Sequence, residues 1–130
     1  MISLGIDVVE VPRMRVVLGR RPRLADRVFT EAERAYAARK RDPTERLAAR
    51  FAAKEAVMKA LGVGIGTVAF REIEVVRGPR GAPTIAVTGR AAEWAARRGI
   101  TDWRISLTHS ELIAAAVVVG IIAGQAEAAP

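Results

Sequence analysis

The chain has 130 residues, of which 51% are hydrophobic and 27% charged, and its formal net charge is +7. This length predicts a single domain, and this composition excludes a mostly disordered chain. With no cysteine and one histidine, disulfides, iron–sulfur ligation, thiol nucleophiles and sites of several histidines are excluded. Because no apolar run reaches about 18 residues and the first ten residues do not resemble a signal peptide, we expect no membrane-spanning helix and a cytoplasmic location.

The first forty residues predict one strand and two helices. Residues 2–9 are aliphatic and β-branched, which predicts a strand. Pro12 suits the first turn of a helix, which is expected to end near Gly19 and Pro22. Thr30 and Glu33 have the spacing of a capping box, so we predict a second helix that reaches Lys40.

The longest predicted helix follows. Asp42, Pro43 and Glu45 form a helix-start signal, with the aspartate as the cap and the proline in the first turn. The helix is expected to run to Leu61 and to end at Gly62. Residues 62–66 alternate glycine with aliphatic residues, which predicts a flexible connection.

The second half of the chain predicts four strands and one helix. The strands span residues 68–77, 84–88, 103–109 and 112–120, and the helix spans residues 90–98. The last strand is continuously apolar, so we expect it to be covered on both faces. Residues 1–120 would form the domain, and residues 121–130 a frayed or disordered C-terminal tail. This order favours an α+β fold with a mostly antiparallel sheet packed on the long helix.

Charged residues stand at unexpected places on the long helix. Its apolar stripe, projected at about 100° per residue, is formed by Leu47, Phe51, Met58 and Leu61. Glu55 and Lys59 lie about 80° and 120° from Leu47, at the edge of this stripe, whereas Lys54 lies within it. Glu55 and Lys59 are either an ordinary ion pair one helical turn apart or part of a functional site. The stem of Lys54 is expected to reach solvent.

Two further residues are unusual for their surroundings. Asp7 interrupts an apolar strand, where a buried carboxylate is costly unless it is paired or binds a metal. The alternative is an exposed position or a turn at the end of the strand. His109 continues the face of Trp103, Ile105 and Leu107, and it is either a structural histidine or a ligand-binding one.

Asp7 and Glu55 come from distant segments and would suit Mg²⁺, which takes one or two carboxylates together with water and substrate phosphates. Mn²⁺ would suit similar oxygen ligands. Lys59 would face the same phosphates. Further positive charge on the helix would come from Arg46, Arg50 and Lys54. The sequence has neither a Walker A motif nor the Gly-x-Ser-x-Gly elbow of serine hydrolases, which disfavours both enzyme classes.

The positive charge is concentrated in the first half of the chain. Residues 1–50 contain 12 Lys and Arg against 7 Asp and Glu, whereas residues 51–130 contain 9 against 7. This asymmetry indicates an anionic partner, unless it serves solubility alone. The alternative to an enzyme is therefore a non-enzymatic basic module that binds an acidic protein or RNA. Few aromatic residues are available to stack on bases, which disfavours nucleic acid.

Three motifs occur in order along the chain. Residues 5–10 read Gly-Ile-Asp-Val-Val-Glu, residues 50–62 read Arg-Phe-Ala-Ala-Lys-Glu-Ala-Val-Met-Lys-Ala-Leu-Gly, and residues 106–110 read Ser-Leu-Thr-His-Ser. Together they resemble the motifs of the holo-[acyl-carrier-protein] synthase family, and the similarity spans about residues 2–120. The segment 50–62 is the most specific of the three.

The resemblance implies the 4′-phosphopantetheinyl transferase fold and an enzyme of fatty acid biosynthesis and lipid metabolism. Such an enzyme moves 4′-phosphopantetheine from coenzyme A to a serine of apo acyl carrier protein and releases adenosine 3′,5′-bisphosphate. The resemblance also implies a homotrimer with active sites between neighbouring subunits, and neither a nucleic-acid nor a membrane partner.

The resemblance further implies roles for individual residues. Asp7 and Glu55 would hold Mg²⁺ at the coenzyme A diphosphate, and Glu55 would act as the base for the carrier serine through a metal-held water. Lys59 would be the second catalytic residue, binding phosphate and protonating the departing bisphosphate. Coenzyme A would be bound by Arg50, Lys59, Gly81, Pro83 and His109. Arg13 and Arg20 would dock the acidic carrier protein.

Overall fold

The described part of the chain, residues 1–124 of a computed structural model, contains five strands and five α-helices. In chain order they are β1 (Ile2–Glu10), α1 (Val11–Arg20), α2 (Leu24–Val28), α3 (Glu31–Ala37), α4 (Thr44–Leu61), β2 (Ile73–Arg77), β3 (Pro83–Val87), α5 (Gly89–Arg97), β4 (Ile100–His109) and β5 (Ile113–Ile122). Both sheets are antiparallel, so the predicted α+β fold is confirmed. Within residues 1–124, no helix is both long and apolar enough to cross a bilayer.

The main sheet has three strands in the order β1-β5-β4. Asp7 on β1 pairs with Ala116, and His109 on β4 pairs with Ala114. Residues opposite each other share a face, and so do residues two apart on one strand. Asp7 and His109 therefore lie on the same face of the sheet, at its two edges. Helix α4 packs across this face, where its alanines share a buried cluster with the inward residues of β5.

Local signals fix the ends of α4. The Asp42 Oδ1 atom accepts hydrogen bonds from the Thr44 amide at 3.0 Å and from the Thr44 hydroxyl at 2.6 Å. The helix ends at Leu61, before Gly62, as predicted. The capping box of α3 is also present, with Thr30 and Glu33 exchanging two hydrogen bonds. Helix α3 ends at Ala37, earlier than the predicted Lys40.

Several other predictions of secondary structure are wrong, including the start of β4, which lies at Ile100 instead of Trp103. Helix α2 was not predicted; it forms where Val28 and Phe29 are buried in a cluster with Leu47. Residues 70–72 form a 3₁₀-helix instead of the start of a strand, because the Glu72 carboxylate accepts from the amides of Ala69 and Arg90. Strand β5 continues through Ile122, whose amide donates to the Met1 carbonyl at 2.9 Å. The remainder of the predicted tail, residues 125–130, lies outside the described residues.

The prediction that the last strand is covered on both faces is wrong for the single chain. One face of β5 packs against α4, but the opposite face of the sheet is open to solvent. We call this surface the open face. Its most exposed apolar residues are Ile2, Leu4, Ile6, Val8, Ile113 and Val117, each at least 43% exposed.

Candidate functional site

Strand β1 and helix α4 bring Asp7, Glu55 and Lys59 together. The Lys59 Nζ atom donates to the Ile6 carbonyl at 2.8 Å and lies 3.2 Å from the Asp7 Oδ1 atom. Glu55 precedes Lys59 by one helical turn. Burial, and after it the negative charge of Asp7, raise the pKa of Glu55, while Lys59 opposes this shift. The two carboxylates are therefore close enough for the charge of Asp7 to disfavour ionisation of Glu55.

A glycine sets the distance between this strand and this helix. Gly5 faces α4, and a Cβ atom at this position would overlap the Ala56 carbonyl. The backbones of β1 and α4 thus touch directly. Asp7 lies two residues from Gly5, and Glu55 adjoins Ala56. The contact between Gly5 and Ala56 therefore places both carboxylates where strand β1 meets helix α4.

The donor set can hold a divalent cation only with help from other ligands. Within residues 1–124, no group of three or more His, Cys, Asp or Glu side chains is arranged to hold a metal ion. The Asp7 side chain is 15% exposed, so its oxygens remain accessible. Two repelling carboxylates next to solvent fit Mg²⁺, which completes its shell with water and substrate oxygens.

A second feature is a cationic pocket of about 310 Å³ at the other edge of the sheet. It contains four residues that the sequence analysis proposed for coenzyme A, Arg50, Gly81, Pro83 and His109. It also contains four residues with positive or aromatic side chains, Tyr36, Lys40, Arg46 and Arg77. We call the pocket lined by these eight residues the arginine pocket. Its composition suits a phosphorylated ligand.

Neighbouring side chains orient the wall of the arginine pocket. The His109 Nδ1 atom lies 2.7 Å from Glu45 Oε1. A carboxylate can only accept, so Nδ1 bears the proton in this contact. Gly81 has a φ of +82°, and a Cβ atom there would lie 2.7 Å from the Arg77 guanidinium. A glycine at position 81 therefore allows both the turn and the position of Arg77.

The predicted coenzyme A residues do not meet in one cavity of a single chain. Arg50 and Lys59 are separated by nine residues on α4, which places them about 180° apart around the helix axis. Arg50 lines the arginine pocket, whereas Lys59 contacts Asp7 on β1. The predicted site thus divides into two groups on opposite sides of α4.

The predictions for Lys54 are wrong. Its side chain is fully buried instead of reaching solvent, and it cannot offer charge to a phosphate. Its Nζ atom pairs with Glu33 Oε1 at 2.7 Å and donates to the carbonyls of Phe70 and Ile73. Burial lowers the pKa of Lys54, and Glu33 opposes that shift. Lys54 is therefore a structural residue that ties α4 to α3 and β2.

Helix α1 presents Arg13 and Arg20 to solvent. They are two helical turns apart, so they share one side of the helix. Arg13 also stands at the rim of an apolar groove of about 160 Å³ between α1, α2 and α4. The groove is lined by Met14, Val17, Leu18, Leu24, Val28, Phe29 and Phe51.

Sequence reasoning missed Tyr36, Glu45 and Arg77. Glu45 was assigned only to the start of α4, although it also orients His109. Tyr36 and Arg77 belong to α3 and β2, and only the folded chain brings them beside Arg50. No spacing in the sequence indicates such a meeting.

Comparison with known proteins identifies the family of this chain. A Salinispora arenicola holo-[acyl-carrier-protein] synthase is 48% identical over 118 residues, which covers 91% of this chain and 96% of that protein. The Neisseria meningitidis holo-[acyl-carrier-protein] synthase structure has a TM-score of 0.83 at 32% identity, covering 93% of this chain and 99% of that one.

A Bacillus anthracis holo-(acyl-carrier-protein) synthase was solved in complex with CoA (3′,5′-ADP). It has a TM-score of 0.77 at 35% identity, and the match covers 93% of this chain and 96% of that one. The family model of the 4′-phosphopantetheinyl transferase superfamily matches residues 3–116. The chain therefore belongs to the 4′-phosphopantetheinyl transferase superfamily.

Proposed function

We propose that this protein is a holo-[acyl-carrier-protein] synthase. It transfers the 4′-phosphopantetheine group from coenzyme A to a serine of apo acyl carrier protein and releases adenosine 3′,5′-bisphosphate. The family match supports this reaction over residues 3–116, and holo-[acyl-carrier-protein] synthases that match most of the chain support it as well. The structural observation on which it depends is the meeting of Asp7 and Glu55 beside Lys59.

Asp7 and Glu55 are the proposed ligands of Mg²⁺, and Mn²⁺ would suit the same oxygens. Their mutual repulsion favours this assignment, because a divalent cation between them would relieve it. When bound, the ion would neutralise negative charge on the coenzyme A diphosphate.

Glu55 and Lys59 are the proposed catalytic residues. The carrier serine oxygen attacks the phosphorus next to pantetheine, and the bond from that phosphorus to the bisphosphate oxygen breaks. Glu55 accepts the serine proton as the general base. Lys59 is 55% exposed beside Asp7, where its Nζ atom can bind phosphate and donate a proton to the departing oxygen.

The arginine pocket is the proposed binding site for the nucleotide end of coenzyme A. Arg50, Gly81, Pro83 and His109 line it together. With Lys59 on the other side of α4, one coenzyme A molecule would need groups from two neighbouring chains. A homotrimer with shared clefts meets this requirement, and the open face supplies the apolar surface for its assembly.

Helix α1 is the proposed docking surface for apo acyl carrier protein. Arg13 and Arg20 would pair with acidic side chains of the carrier, and the adjoining groove would accept an apolar one. We propose a cytoplasmic role in fatty acid biosynthesis, which the lack of cysteine suits. The alternative of a basic module for RNA or an acidic protein is not favoured, because its basic residues line a ligand-sized pocket in a transferase family member.

The deciding experiment incubates the protein with coenzyme A, Mg²⁺ and apo acyl carrier protein and then weighs the carrier by mass spectrometry. We expect the carrier to gain the mass of phosphopantetheine, and a carrier with alanine in place of the acceptor serine to gain nothing. No mass gain with several apo carriers would refute the proposed function.

A further inference from the structure

A single aromatic ring organises the guanidinium groups of the arginine pocket. The Cζ atoms of Arg46, Arg50 and Arg77 lie 4.1, 4.4 and 4.6 Å from the centre of the Tyr36 ring. Arg77 also donates a hydrogen bond to the Tyr36 hydroxyl, and Arg46 donates to the Tyr36 carbonyl at 2.9 Å. Tyr36 thus contacts these three arginines through its ring face, its hydroxyl and its backbone, and Arg39 lies further from the ring, at 5.6 Å.

Within the described part of the chain these arginines form no salt bridge, although the more distant Glu33 partly offsets the charge of Arg50. Among residues 1–124, no carboxylate lies within salt-bridge distance of Arg46, Arg50 or Arg77. Arg50 is only 5% exposed, and its Nε atom has no hydrogen-bond partner. Three cations of like charge remain close together only if something holds them, and the Tyr36 ring does so through cation–π attraction.

The arrangement fits an anion better than a neutral group. Guanidinium groups bind phosphate oxygens through paired hydrogen bonds, and arginines already held in position lose less side-chain freedom when they bind. Coenzyme A has a diphosphate and, at the ribose, a phosphate monoester. The diphosphate is assigned above to the Asp7 and Glu55 side of α4, which leaves the monoester for the arginine pocket.

We infer that Tyr36 is a positioning residue, which holds Arg46, Arg50 and Arg77 in place to bind the ribose phosphate of coenzyme A. This inference rests on the proposed function. The residue touches no reacting atom, so its loss should weaken the binding of one substrate and leave the chemical step intact.

The test compares coenzyme A with dephospho-coenzyme A, which lacks the ribose phosphate. We expect Tyr36→Leu to raise the KM for coenzyme A about tenfold. The KM for dephospho-coenzyme A and for the carrier should not change, and kcat should stay within about twofold. Tyr36→Phe keeps the ring but loses the hydrogen bond from Arg77, so it should give a smaller rise for coenzyme A alone. Trp94→Leu is the matched control, because the Trp94 ring holds Arg97 and Arg98 outside the pocket.

Equal KM changes for both donors, or no change for coenzyme A, would overturn the role of Tyr36. If Tyr36→Leu does not fold, the Tyr36→Phe protein decides: its KM for coenzyme A must rise while that for dephospho-coenzyme A stays constant. The two levels of failure are distinguishable, because an unsubstituted protein that modifies no carrier refutes the proposed function. Transfer with an unchanged preference between the donors refutes only the inference about Tyr36.

Discussion

Glu55 combines two properties that are rarely found together in a surface glutamate. It is half-buried, and it faces another carboxylate, so its pKa is raised by burial first and by Asp7 second. A lysine one turn away limits this rise. In the proposed reaction this residue is the general base that takes the proton of the carrier serine.

Replacing this carboxylate tests its part in the reaction. We expect Glu55→Gln to lower kcat by roughly 100-fold or more, because the variant keeps the shape of the side chain but loses its charge and basicity. Thermal unfolding should show that the fold is retained. Glu93→Gln, on the exposed side of α5, is the matched control. Near-normal turnover of the Glu55→Gln protein would remove Glu55 from the mechanism.

The buried pair of Lys54 and Glu33 leads to a prediction about stability. Lys54→Met removes the cation and leaves the fully buried Glu33 carboxylate without its partner. We expect the free energy of unfolding to fall by about 3–5 kcal/mol, as measured by urea denaturation. Arg80→Met, on the exposed turn between β2 and β3, should change it by less than about 0.5 kcal/mol. A Lys54→Met protein as stable as the unsubstituted one would show that the pair is dispensable.

For individual residues, spacing along the chain identified some candidate site residues and assigned others the wrong role. Asp7 and Glu55 were recognisable because each breaks an apolar pattern, and the resemblance supplied the same pair. Lys54 breaks the pattern too, but its partner Glu33 lies on another helix. Periodicity finds an anomalous residue, but it does not show whether a distant side chain compensates it.

Helix α4 is the element on which both groups of site residues depend. It bears Arg50 on one side and Glu55 with Lys59 on the other. Its C-terminal end was predicted correctly and its start to within one residue, because capping signals are local. Helix α2 and residues 70–72 were predicted wrongly because tertiary contacts determine their conformation. Helix α2 depends on the burial of Phe29. Residues 70–72 depend on hydrogen bonds to the Glu72 carboxylate.

The cap of α4 predicts a pH dependence of stability. Hydrogen bonds from the Thr44 side chain and backbone lower the pKa of Asp42, with a smaller contribution from Arg15. A lowered folded pKa means that the stabilisation is complete above the ordinary aspartate pKa and is lost as pH falls through the folded value. We expect Asp42→Ala to cost about 1 kcal/mol of unfolding free energy at pH 7. The difference from the unsubstituted protein should shrink in acid.

Asp42→Asn is the matched control, because asparagine caps a helix about as well as aspartate but does not titrate. It should preserve most of the stability at pH 7. Chemical denaturation across a pH series measures both effects. An Asp42→Ala penalty of the same size at all pH values would contradict the assigned cause.

Helix α1 predicts a change in carrier affinity. Reversing Arg13 and Arg20 to glutamate should raise the KM for apo carrier by at least tenfold and lower kcat far less, because docking precedes chemistry. Reversing Arg80 and Arg90, two exposed arginines outside α1, is the control for the change of net charge. An unchanged carrier KM would move the docking surface away from α1.

In the whole molecule, the site is divided by α4 and the sheet has an open face. The continuous apolar run of β5 predicted a strand covered on both faces, but in the single chain only one face is covered. The run does not show which of its two faces packs against α4. Sequence therefore predicted the fold class but not which surface a single chain leaves exposed.

Mixing inactive variants tests whether subunits share the site. Asp7→Asn and His109→Ala affect opposite sides of α4, so in the proposed trimer a mixture of the two chains would contain some clefts with both groups intact. Co-refolding equal amounts should restore about a quarter of the activity, since each cleft draws one group from each of two chains. Asp7→Asn with Glu55→Gln, which alters the same group in both chains, should restore none. No recovery in the first mixture would contradict shared clefts.

The contact between Gly5 and Ala56 also bears on how the protein can tolerate sequence change. Strand and helix meet there main chain to main chain, so no core side chain acts as the spacer between the two carboxylates. Substitutions that preserve core volume can accumulate without altering the gap that would accommodate the cation. By contrast, a single methyl group at position 5 would force the helix away from the strand and widen that gap. Position 5 itself bears no reacting group, so its effect on the site would be indirect.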